Sequence, residues 1–111
     1  MSDAEVNGIW DVGAYIVFLN MQEYLLDVIK RDCLVRTENM HPEVKTVQSI
    51  YDNCRVIPKS LDFVMSGMGD KWLYNIPTYS SWWIIVLKER FVFSGDFTYI
   101  ERHHKTVLRL V

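Results

Sequence analysis

Two cysteines, five glycines and three prolines in 111 residues are too few for a disulfide-stapled mini-protein, a collagen-like repeat or a low-complexity tail. Cys33 and Cys54 sit outside any CxxC pattern, so they are expected as reduced thiols, with one bridge between them left open. Long apolar runs are also missing. The uncharged stretch Val12 to Gln22 falls well short of the roughly 20 residues that span a bilayer. The opening "MSDAEVNG" is acidic and polar where a signal peptide would be basic and then apolar. A cytoplasmic protein without a membrane partner is expected.

Charge of one sign is lacking too. Residues 1–55 carry 5 Lys/Arg against 9 Asp/Glu, and residues 56–111 carry 7 against 5. Phosphate recognition draws on a concentrated basic face, so nucleic acid is not the expected partner. What the chain does have is apolar mass: half its residues are hydrophobic, with 4 Trp, 6 Tyr and 5 Phe. That is enough for a single compact domain over residues 1–111.

From Ile9 to Asp32, Trp10, Ala14, Val17, Phe18, Met21, Leu25, Val28 and Ile29 recur at helical spacing, which predicts a long first helix. Val12, Ile16, Leu19 and Leu26 fall on its other side, so the helix is apolar nearly all round. Such a helix is central in a core or covered by another chain. "HPEVKTVQSIYDNC" predicts a second helix opening at Pro42, with Val44, Val47, Ile50, Tyr51 and Cys54 on one stripe. A third helix is predicted from Pro58, carrying Leu61, Val64 and Met65 and ended by a left-handed Gly67.

Beyond Gly67 the pattern changes. "SSWWIIVLKERFVF", "FTYIERHH" and "TVLRLV" are rich in β-branched and aromatic residues, and "SGD" lies between the first two. The expected fold is therefore α+β: about three N-terminal helices followed by a three-stranded antiparallel β-meander, or four-stranded if "KWLYNI" joins it. Gly95 and Asp96 suit a type II′ turn, which sets Arg90 opposite Glu101 and Glu89 opposite Arg102. Alternation then sends His103 and His104 to opposite faces of a strand, where they cannot close on one metal ion. His41 is remote and is expected to cap a helix, and no metal or cofactor is expected.

No nucleophile stands beside a base, and "SGMGDK" lacks the third glycine and preceding strand of a phosphate loop, so the chain is expected not to be an enzyme. The aromatic residues between Trp72 and Trp83 are the richer signal, because Trp and Tyr dominate protein interfaces when exposed. The function expected is that of a small intracellular protein-binding module, an inhibitor or immunity-type protein that neutralises a partner such as a basic toxin or enzyme. Its partner-binding residues would be Asp62, Asp70, Trp72, Tyr74, Tyr79, Trp82 and Asp96, and a homodimer is the other association considered. Two alternatives stand beside it. One is a nucleic-acid-binding sheet stacking bases on Phe91, Phe97 and Tyr99; the other is a small enzyme or metal-dependent protein using His103 or His104.

Overall fold

The computed structural model describes residues 3–27, 34–51 and 55–111, and Cys33, Cys54 and their expected bridge lie outside the described residues. Among the described residues five helices follow one another: α1 (Ala4–Asn20), α2 (Thr37–Ile50), α3 (Val56–Met65), α4 (Pro77–Ser94) and α5 (Phe97–Leu110). α2 is central, with α1 and α4 packed on it, and α4 in turn carries α3 and α5. The molecule is elongated, 50 × 33 × 21 Å along its principal axes.

The expected β-meander is absent: the described residues hold two isolated bridges, Met21 to Leu25 and Met68 to Leu73, and no sheet. The chain is all-α, and the α+β assignment is overturned. "TYSSWWIIVLKERFVFS" is helical because Ser80, Trp83 and Leu87, spaced three and four apart, fall on one stripe and are buried together with Val86. Each β-branched residue costs only a few tenths of a kcal/mol in a helix, whereas burying Trp83 returns several times that. Tertiary packing outweighs local preference here.

"SGD" is a helix-to-helix joint and not a hairpin turn. Gly95, at φ 67°, ends α4 in the left-handed conformation, and its N–H donates to the Phe91 carbonyl at 2.8 Å. Asp96 then caps α5, its carboxylate accepting from the Tyr99 N–H at 3.1 Å. The expected cross-strand pairs are replaced: Arg90 bonds Asp96 at 3.0 Å, and Glu89 meets Lys88 at 3.3 Å. The seam of α5 is Tyr99, Ile100, His103, Val107 and Leu110, a helical stripe.

Bounds of the first three helices shift as well. α1 stops at Asn20, because the chain turns back through Met21–Leu25 and buries Leu25, whose N–H donates to the Ser60 hydroxyl at 2.7 Å. The expected continuation through residues 28–32 lies outside the described residues. α2 begins at Thr37, five residues before Pro42, and its buried stripe runs Thr37, Met40, Val44, Val47. It bears neighbours on more than one side, so it is no ordinary surface helix. His41 lies within α2 and stacks on Trp82, with ring centroids 5.4 Å apart.

Two buried serines hold the two main turns in the same way. Ser60 accepts from Leu25, and Ser80 accepts from the Leu73 N–H at 3.0 Å. An unmet buried N–H costs about 1–3 kcal/mol, so these small polar residues in the core are explained by the loops they satisfy.

Candidate partner-binding surfaces

The loop between α3 and α4 is built tightly. Tyr74 and Asn75, at φ 50° and 59°, are consecutive left-handed residues without being glycine, an arrangement costing about 1 kcal/mol or more each. Hydrogen bonds hold it: Tyr74 N–H to Gly67 O at 2.8 Å, Asn75 N–H to Trp72 O at 3.0 Å and Ile76 N–H to Leu73 O at 2.9 Å. From α5, the Arg109 guanidinium donates to the Asp70 carbonyl at 2.7 Å. Gly67 does not take the expected left-handed form. Its missing Cβ makes room for the Tyr74 ring, as that of Gly69 does for the Asn75 side chain.

This loop projects Tyr74 beside Tyr79, edge to face with centroids 6.2 Å apart. Together with Phe63 and the segment Leu34–Arg36 they line an open cleft of ≈ 300 Å³. Tyr79 Oη lies 3.5 Å from Glu38 Oε1, and burial followed by the Glu38 charge pushes its phenol up, so it stays a donor. Arg36 at the rim lies 3.7 Å from the Asp27 carboxylate.

The seven residues expected at the partner surface are divided among three places. Tyr74 and Tyr79 meet in the cleft, and Trp72 lies in the same loop, half-buried under Lys71 at 4.6 Å. Asp70 is exposed, and its backbone carbonyl is used by Arg109. Trp82 lies against His41 on the α2–α4 seam, while its neighbour Trp83 is fully buried and donates to the Leu61 carbonyl at 3.1 Å.

Asp62 and Asp96 are drawn into a third place, around Tyr99. The Tyr99 hydroxyl donates to Asp62 Oδ1 at 2.7 Å, and His103 Nε2 lies 3.1 Å from the same oxygen. Burial, then the Asp62 bond, raises the Tyr99 phenol far above its ordinary value. Arg90 stacks over the Tyr99 ring at 4.3 Å while bonding Asp96, whose carboxyl is held low chiefly by that bond. Tyr99 and His103, one helical turn apart, thus stitch α5 to α3.

That seam answers the dense polar run in "TYIERHHK". His103 is buried with its ring edge on Trp83, and His104 is exposed, so the strand-face assignment of the two imidazoles is overturned. The base-stacking sheet loses its platform likewise, because Tyr99 is buried between arginines and there is no sheet among the described residues. Among these residues no group of three or more His, Cys, Asp or Glu could hold a metal ion.

The partner-binding residues expected from sequence leave out a further exposed apolar surface, that of α1, although the all-round apolarity of this helix was its signal. Val6, Ile9, Trp10 and Val12, then Tyr15, Ile16, Phe18 and Leu19, are 36% to 68% exposed, and Val17 is the helix's buried residue. α1 runs antiparallel to α2: Ala14 O accepts from Tyr51 Oη at 3.2 Å, and Asn20 Nδ2 donates to Glu43 Oε1 at 3.3 Å. Residues 3–12 are exposed at every position and form the arm of the molecule. Burial, then the Asp27 charge, raises Glu43 to about 7. A groove of ≈ 330 Å³ runs beside the arm, between Ile9, Trp10 and Ala14 of α1 and Lys45, Ser49 and Ile50 of α2.

Fold and surfaces thus define an all-helical protein with an aromatic cleft and an apolar arm. No protein-family model, curated protein or solved structure matches the chain. Among the described residues no helix is long and apolar enough to cross a membrane.

Proposed function

We propose that this chain is a non-enzymatic protein-binding module of the inhibitor or immunity type, which grips an apolar side chain of a partner protein in the cleft of Phe63, Tyr74 and Tyr79. The observation that carries this reading is the left-handed Tyr74–Asn75 pair, locked over Gly67 and Gly69 and fastened by Arg109. Strain of this kind persists where surrounding bonds over-determine it, and a pre-set aromatic loses little entropy on binding. Few cysteines favour a reducing, cytoplasmic setting.

The test is affinity capture with the tagged chain from its native cell, followed by titration of the captured protein. Tyr74→Asn removes the ring while keeping a residue that tolerates the left-handed backbone. An anchor of this kind contributes about 2 kcal/mol, so the variant should bind about 30-fold more weakly with an unchanged helical spectrum. Binding within twofold of the parent would refute the cleft as the docking site.

A further inference from the structure

The α1 arm is a second surface, separate from the cleft, and its chemistry selects a different occupant. We infer that the arm is the interface of a two-fold dimer in which the α1 of each copy lies in the α1–α2 groove of the other.

Size is the first argument. The eight exposed side chains of α1 include Trp10, Tyr15 and Phe18, and together they expose apolar surface on the order of 800 Å², which is what each partner contributes to a stable interface. Access is the second. An added Cβ at Gly8 or Gly13 would meet nothing within 4 Å, so the backbone of another helix can approach there.

Charge is the third. From Asp3 to Asn20 the arm carries Asp3, Glu5 and Asp11 and no Lys or Arg, and the groove has Lys45 at its edge. An acidic apolar helix and a lysine-edged apolar groove are complementary, and one chain carries both. A two-fold axis satisfies each with the other, so both copies bury the same surface and the assembly closes at two. A lipid surface suits the arm poorly. Interfacial helices keep a basic polar face in water, whereas this helix is acidic and apolar around its circumference.

Sedimentation equilibrium of the full chain over a micromolar concentration series tests this. The expected mass is that of two chains, falling to one chain for Trp10→Glu with unchanged helical content. Because the axis repeats every contact, Lys45→Glu should weaken the dimer about tenfold, and adding Glu5→Lys with Asp11→Lys should restore most of the loss. Four results would overturn the dimer: a single-chain mass throughout, growth beyond two chains, indifference to Trp10→Glu, or a one-chain species whose arm inserts into phosphatidylcholine or phosphatidylserine vesicles. Tyr74→Asn should leave the mass at two chains, which keeps this surface distinct from the cleft.

Discussion

α1 and α5 are helices of similar length whose compositions suggest the reverse of their placement. α1, "AEVNGIWDVGAYIVFLN", is mostly apolar, yet Val17 is the residue it buries. α5, "FTYIERHHKTVLRL", is rich in charge, yet it seats Tyr99, His103 and Leu110 in the core with Ile100 and Val107 packed beside them. What separates the two is arrangement. α5 gathers its apolar and aromatic groups on one stripe and gives their polar atoms partners, whereas α1 spreads its apolar groups around the axis, where one neighbouring helix can cover only a part.

Substitutions can break or sharpen this contrast. The largest effect should fall where α5 meets the core. Trp83 is fully buried against the His103 ring and bonded to the Leu61 carbonyl, so Trp83→Ala should cost about 3–5 kcal/mol in a urea melt. A loss below about 1 kcal/mol would mean that the α4–α5 seam is not the stable half.

A middling effect is expected at the base of α1, where Glu43 accepts from Asn20. The Glu43 carboxyl is raised from 4.5 to about 7 in the folded protein, so the fold holds its proton more tightly than the unfolded chain does. Stability therefore falls as pH rises from about 4.5 to about 7 and stays lower above that. Glu43→Gln keeps an acceptor for Asn20 and removes the charge. After allowance for solvent screening it should gain on the order of 1–2 kcal/mol at pH 8 and nothing at pH 4. A pH-independent difference would show that charge is not what burdens this contact.

The smallest effect should fall on the arm. At dilutions where the chain is monomeric, Val12→Ser should change stability by less than about 0.5 kcal/mol, since Val12 has little to lose. A loss like that of Trp83→Ala would mean the arm is packed within its own chain, and the comparison with α5 would fail.

The first three helices were legible in sequence because their apolar residues repeat at helical spacing; Pro58 stands in the first turn of α3, whereas Pro42 lies inside α2 and set its expected start too late. The last two were misread for a specific chemical reason. A type II′ hairpin turn and a helix C-cap both ask for a residue with positive φ, so Gly95 fits either. Pro77 at the first turn of α4 and Asp96 three residues before Tyr99 are helix signals that the strand reading left unused. Of the residues that line the cleft, Tyr74 and Tyr79 were singled out in sequence as residue types common at interfaces. Phe63 and Leu34–Arg36 were not, since only folding brings them to the cleft.

Sequence alone determined the apolar excess of α1 and the helical spacing of the apolar residues of α2 and α3, because each is a property of neighbours along the chain. Tertiary structure decided whether "SSWWIIVL" became strand or helix, which histidine entered the core and which apolar helix was left uncovered. Those outcomes depend on what α2 can bury on each side, a sum over distant residues that outweighs the few tenths of a kcal/mol by which local preferences differ.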